Sequence, residues 1–315
     1  MPTIMTLGEI LVEFLADQKN QRFDTPGVIR GPFPSGAPAI FIDQVAKLGG
    51  SGGIIGCIGE DDFGRLNLNR LNDDGVDTRH IRVLPNETTG SAFVSYQDDG
   101  SRNFIYNLTN SASSKITPEQ VTEASLKGCS VFHVMGSSLF SFKLIEATQK
   151  AINIVKAQGG KISFDPNIRK EMLAIPEMRE ALVYILELSD IVIPSEGELE
   201  LLVGHNNEEQ AVKELFEGGV EEIIIKLGAR GSQFYQRDGT ALFTPGFSVA
   251  EIDPTGAGDC FGATYLGLRA AGLPVEKSLV YANAAGAFAV QQSGPMEGTS
   301  RFQELEAFVE QQGAV

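Results

Sequence analysis

The chain has 315 residues, 42% hydrophobic and 21% charged, the make-up of an ordinary globular protein long enough to bury a full core without staples. Its 41 acidic against 25 basic residues give a formal net charge of −16, a surface that repels nucleic-acid phosphates and anionic membranes, so neither is an expected partner. Cys57, Cys129 and Cys260 have neither zinc-site nor disulfide-framework spacing, the N-terminus lacks a signal-peptide pattern, and no run approaches the roughly 20 apolar residues of a membrane span; the expected compartment is a reducing cytoplasm.

Short β-rich runs alternate with amphipathic segments along the chain. Strands are predicted at Ile4–Leu7, Ile54–Ile58, Val131–Val134, Ile162–Asp165, Ile191–Pro194 and Ile223–Leu227. Helices are predicted at Pro38–Leu48, Phe63–Asp74, Leu144–Gln158, Met178–Leu188 and Glu196–Val203, most of them followed by glycine stops. Such alternation is the pattern of a parallel sheet covered on both faces. Two regions break it. Ser91–Tyr96 and Arg102–Tyr106, joined at Asp98-Asp99-Gly100, read as a hairpin, and residues 14–35 are rich in Pro, Gly and aromatics; both are expected in a small β layer outside the main sheet. A second hairpin is predicted from Ser232–Gln236 and Ala241–Phe243.

The most informative stretch is Glu251-Ile-Asp-Pro-Thr-Gly-Ala-Gly-Asp-Cys-Phe, in which a turn and cap signal leads through Gly256-Ala257-Gly258 into a helix carrying Phe261, Tyr265 and Leu268. A Gly-rich loop opening a helix is an anion site, because free N–H groups and the helix dipole both favour negative charge and small residues admit a phosphate. Asp259 lies in that first turn. From the residues alone two readings stand: a carboxylate facing a substrate hydroxyl beside a transferring phosphoryl group, or an aspartate that merely stabilises the dipole. Other nucleotide motifs are missing: Gly160-Lys161 lacks the rest of a P-loop, and Phe261 occupies the last glycine position of a dinucleotide fingerprint. His80, His133 and His205 have no catalytic partners at telling spacings.

Asp-Pro-Thr-Gly-Ala-Gly-Asp-Cys-Phe resembles the C-terminal signature of ribokinase (PfkB) family kinases. The resemblance implies Asp259 as catalytic base and Gly256, Ala257 and Gly258 as the anion hole. Further segments are similar to the family in the same order: Ser35-Gly36-Ala37-Pro38-Ala39 with Gly59 to Gly64, then Asp165-Pro166-Asn167-Ile168-Arg169, Ser195 to Glu198, Lys226 to Gly231, and Tyr281-Ala-Asn283. They imply substrate contacts at Glu13, Gly36, Ala37, Ile40, Asn107, Arg169 and Asp259. ATP contacts are implied at Ser195, Lys226, Gly228, Gly231, Gly256, Gly258 and Asn283, with Glu198 ordering Mg2+ through water. A potassium-type site near Asp253 and Gly294 is also implied.

The expected fold is a ribokinase-like three-layer α/β/α sandwich, one kinase domain over 1–315, with a mostly parallel central sheet and a small β lid from about 10–34 and 86–110. A homodimer through the lid is expected. Three departures from the family bear on the substrate: Glu13 stands where many relatives have Asp, Ile40 where Asn is usual, and Ser195 where Asn opens the N-x-x-E element. Members that phosphorylate 2-keto-3-deoxygluconate present a lid Arg to the substrate carboxylate, whereas this chain has Asn107 at that place. A buried carboxylate without a bidentate partner is costly, so a neutral ketohexose such as tagatose or fructose is the expected substrate. A sugar-acid kinase and a catalytically silent sugar- or nucleotide-binding regulator are the alternatives.

Overall fold

The computed structural model describes residues 3–168, 176–204 and 207–313. Strands β1 (Ile4–Leu7), β4 (Gly52–Gly59), β5 (Ile81–Leu84), β8 (Val131–Met135), β9 (Lys161–Asp165), β10 (Ile191–Val192), β11 (Glu222–Lys226), β12 (Gly231–Gln236) and β13 (Ala241–Pro245) form one sheet, ordered β13-β12-β11-β10-β9-β8-β1-β4-β5. From β11 to β5 every pairing is parallel; the β11–β12–β13 edge is antiparallel. A second sheet, ordered β3-β2-β6-β7, combines β2 (Leu11–Ala16), β3 (Ile29–Ser35), β6 (Gly90–Tyr96) and β7 (Arg102–Asn107) and forms the lid. β2 runs antiparallel to β3 but parallel to β6, so two sequence-distant insertions share one sheet.

The period-2 alternation of each central strand divides its apolar residues between two cores. Met5, Leu7, Ile55, Phe132, Ile223 and Ile225 point into one, with α3 (Phe142–Ala157), α4 (Pro176–Glu187), α5 (Glu198–Val203) and α6 (Glu208–Gly218). Ile4, Ile54, Ile58, Ile193 and Ile224 point into the other. That second core contains α1 (Ala37–Lys47), α7 (Ala257–Ala270), α8 (Val275–Ala289) and α9 (Phe302–Gln311). Helix α2 (Asp62–Asp73) adds Leu71 to it.

The predicted strands recur within a few residues, as do both hairpins and the first four helices. α5 starts at Glu198 rather than Glu196 because Gly197 adopts the left-handed conformation (φ 82°) and turns the chain first. Ile191–Pro194 is strand only to Val192. Among the described residues no helix is long and apolar enough to cross a membrane. Functional loops of parallel sheets gather at the carboxyl ends of the strands, and here Asp165 ends β9 and Lys226 ends β11 beneath the lid.

Candidate active site

A cleft of about 670 Å3 opens between the lid, those strand ends and the start of α7. Gly256 caps α7 in a left-handed conformation (φ 84°), and Gly256, Ala257 and Gly258 line the cleft at the amino end of the helix. A Cβ built there would stand 2.5 Å from the Pro295 carbonyl oxygen. The backbone approach that places this loop therefore requires glycine. Two residues on, a Cβ at Gly258 would meet only the Lys226 side chain, its ammonium at 3.4 Å. Asp259 lies in this first turn, 8% exposed, and lines the cleft.

Below the loop is a charged pair braced by a third group. Lys226 Nζ donates to Asp165 Oδ2, while the Glu198 carboxylate accepts the amides of Ser195 at 2.6 Å and Ile168 at 2.7 Å. Burial works against the Lys226 charge, but the carboxylates of Asp165 and Glu198 outweigh it and hold the ammonium above its ordinary range. Glu198 is pushed upward, first by burial and then by Asp165. The triad ties β9, the turn before α5 and β11 together at the edge of the cleft.

On the lid side, Glu13 is buried and accepts the Ser35 hydroxyl at 2.7 Å. Gly36 (φ 111°) caps α1; its neighbours Ser35 and Ala37 line the cleft, and Gly36 itself does not. Ile40 lines it too and packs under Gly256. On the other side lie Gly228, Gly231 and Asn283, with Phe247, Val249 and Val290 forming an apolar slot. The Asn283 amide donates to Ser232 Oγ and the Thr244 carbonyl, both at 3.2 Å, and so pins α8 against the antiparallel edge. Ser195 is exposed and lines the cleft.

Of the residues singled out in the sequence, Gly36, Glu198 and Asn107 do not line the cleft. Asn107 is exposed at the end of β7 and does not line the cleft, because alternate residues of that strand, Arg102 and Phe104, face inward. Arg169 lies outside the described residues. Conversely, Arg102 was missed: its guanidinium donates to Thr255 Oγ1 at 2.9 Å and sits 5.5 Å from the Phe104 ring centroid. The period-2 register of the predicted hairpin could have put Arg102 and Phe104 on one face. Tyr96 was missed as well. Its phenol is raised in pKa by burial and then by Asp253, which lies with Thr255 beside it. Asp253 itself accepts the amides of Thr255 at 3.0 Å and Gly294 at 3.1 Å.

A glycine-rich loop at the head of a buried helix, a carboxylate beside it and a small sheet over the strand ends fit a nucleotide-dependent kinase of small molecules. The pfkB family carbohydrate kinase model matches residues 1–301, and the chain belongs to that family. Fructokinase-1 of Zea mays is 32% identical over 303 residues, 92% of each chain. An E. coli structure holding ATP and Mg2+, provisionally assigned as a ribokinase II, is 53% identical with a TM-score of 0.95, covering 99% of this chain and 100% of that one. A Vibrio cholerae fructokinase double mutant holding fructose, ADP and potassium is 27% identical with a TM-score of 0.85, over 98% of each chain. The protein is an ATP-dependent, fructokinase-like carbohydrate kinase.

Proposed function

We propose that the chain transfers the γ-phosphoryl group of ATP to a hydroxyl of a neutral ketohexose, fructose or tagatose, with Asp259 as base. The observation that carries this reading is the placement of Asp259 in the first turn of α7, inside a lidded cleft and one residue beyond the Gly256–Gly258 loop. Its carboxylate orients the attacking hydroxyl and accepts its proton, while the loop amides receive the charge of the phosphoryl group. Glu13 and Ser35 offer a polar wall to the sugar, with Ala37 beside them; the slot of Phe247, Val249 and Val290 suits a nucleotide base. The fructokinase relatives support a ketohexose.

Among the described residues no three His, Cys, Asp or Glu side chains gather to hold a metal ion. The Glu198 oxygens already accept two amides. That donor set suits Mg2+ bound mainly by phosphates and water, with Glu198 reaching it through water, rather than a protein cage. Asp253, buried and bridging the Thr255 and Gly294 amides, sits where potassium would support the anion loop. The lid's edge strands expose Ile29 and Ile105, which suits pairing with a second copy around one kinase unit.

A sugar acid is the second reading, favoured by Arg102, which brings a cation into the cleft where Asn107 brings nothing. ADP release with Mg-ATP across ketohexoses, aldohexoses, 2-keto-3-deoxygluconate and nucleosides tests both. Turnover highest on a ketohexose supports the first; preference for the keto-acid transfers the assignment to the second. Silence across the panel refutes the sugar-kinase assignment of this site.

A further inference from the structure

The glycine loop rests on residues 294–299: the Pro295 carbonyl would stand 2.5 Å from a Cβ on Gly256, and the Gly294 amide is held by Asp253. A cluster that does not line the cleft holds that segment in turn. Arg70 Nη2 of α2 donates to the Met296 carbonyl at 2.5 Å and to Thr299 Oγ1 at 3.1 Å. Lys47 Nζ of α1 donates to the Thr299 carbonyl at 3.1 Å. At the centre is Asp43 of α1, fully buried, with Oδ2 at 2.6 Å from Thr299 Oγ1. The same hydroxyl oxygen is 2.8 Å from the Met296 carbonyl. A threonine hydroxyl has one proton and cannot serve a carboxylate and a carbonyl together. Both contacts are satisfied if Asp43 carries a proton, donating to Thr299 while Thr299 donates to Met296.

The surrounding groups fit a neutral Asp43. The three cations of the cluster lie nearest to Asp74 of α2, with Arg70 at 2.7 Å, Arg301 at 3.5 Å and Lys47 at 3.6 Å. Glu297 takes Arg70 as well, at 3.4 Å, whereas Asp43 is 3.8 Å from the Arg70 guanidinium. From α7 the facing titratable group is the Cys260 thiol, which burial keeps protonated. Asp43 Oδ1 is buried with no hydrogen-bond partner, a heavy cost for a carboxylate and a smaller one for the carbonyl oxygen of an acid. Burial accordingly pushes this carboxyl up to about 7.

We propose that Asp43 is a proton-bearing positioning residue: its proton, relayed through Thr299 to the Met296 carbonyl, fixes the 294–299 segment under Gly256, and nucleotide binding at the glycine loop weakens once that proton is lost. The inference rests on reading that loop as the phosphate site. An ionised Asp43 claims the Thr299 hydroxyl and attracts Arg70, so the Met296 carbonyl loses one donor and shares the other. The proton is held below about pH 7 and lost above it, so tight binding belongs to the acid side.

Three variants of the full chain test this, each first checked for wild-type thermal unfolding. Asp43→Asn offers an amide that donates to Thr299 at every pH; Thr299→Val removes the relay and Thr299→Ser restores it. Hydrogen exchange of residues 293–301 is compared between proteins at equal pH and without ligand. Wild type and Asp43→Asn should match at about pH 6, and wild type should exchange about 3- to 10-fold faster at about pH 8.5. In calorimetric titration with Mg-ADP, wild type and Thr299→Ser should weaken about 3- to 10-fold over that range. Asp43→Asn should stay level and Thr299→Val should be weak throughout; the nucleotide's own titration cancels between variants. Should Asp43→Asn fail to fold, the Thr299 pair decides by the same two measurements. Equal exchange at both pH values, faster wild-type exchange on the acid side, or an alkaline loss kept in Asp43→Asn or Thr299→Val overturns the proposal. A protein that binds no Mg-ADP at any pH fails the phosphate-site reading instead, and the exchange comparison still decides Asp43.

Discussion

Replacing Gly256 by Ala separates the architecture of the anion loop from its chemistry. Two costs add at this position. The φ of 84° is strained for any residue with a Cβ, at about 1–2 kcal/mol. The new methyl also stands 2.5 Å from the Pro295 carbonyl, a backbone atom that cannot rotate away, so loop or segment must shift by several tenths of an ångström. That segment is anchored through Gly294 to Asp253, which also holds Thr255, so strain at Gly256 reaches the backbone amides at the head of α7. A loss of about 2–3 kcal/mol by urea denaturation and a fall in kcat of about 10²–10³-fold are expected together. Gly258→Ala is the matched control. Its backbone is ordinary helix and its methyl meets only the Lys226 side chain, nearest at 3.4 Å and held by Asp165, so stability should change by no more than about 1 kcal/mol. Turnover should still fall, because that methyl fills space left for the phosphate. Wild-type stability and turnover in Gly256→Ala would refute the reasoning, as would a Gly258→Ala protein as unstable as its neighbour.

Four further outcomes are expected. Asp259→Asn should keep nucleotide and sugar affinity, by calorimetry, while kcat drops at least ~10²-fold. Lys226→Met leaves Asp165 and Glu198 without their cation and should cost about 3–5 kcal/mol near neutral pH. Because the Glu198 carboxyl is already held above its ordinary range and is protonated first, this deficit should shrink when urea midpoints are repeated from about pH 8 down to about pH 5. Burial pushes the Asp43 carboxyl up to about 7 against the Thr299 hydroxyl and Arg70. A folded value above the unfolded one makes its stabilisation complete at acid pH and lost as the pH rises through about 7, so Asp43→Asn should flatten that part of the stability profile. Cys57, Cys129 and Cys260 are all buried, with burial pushing the Cys57 thiol up to about 11, so an aromatic disulfide reagent should titrate none of them before unfolding.

Much of the fold is local and therefore legible. The alternation of β1, β4, β8, β9 and β11 with glycine-stopped amphipathic helices specifies a layered α/β protein before any coordinates, because burial on both faces demands apolar runs. Gly256-Ala-Gly-Asp259 was legible as a glycine-rich helix start with a carboxylate in its first turn for a similar reason: turn, cap and helix dipole are properties of a short segment. β5, α6 and α9 were left unassigned. β5 is an edge strand of four residues with none buried, whereas α6, between the Asn207 cap and Gly219, and α9 carry amphipathic patterns that could have been read.

By itself the sequence determined the layers, the two hairpins and the glycine-rich segment that opens α7, since each depends on neighbours along the chain. Only the tertiary structure decided what faces what. The parallel pairing of β2 with β6 joins residues about 80 positions apart, and no local pattern encodes such a register. The β6–β7 pairing turns Arg102 and Phe104 into the cleft and Asn107 out of it, reversing which lid residue lines it. The same holds for the Lys226–Asp165–Glu198 triad, where the ends of separate strands and a turn converge. In each case a side chain's role depends on contacts whose entropy cost is met by the whole core, and no local segment carries that information.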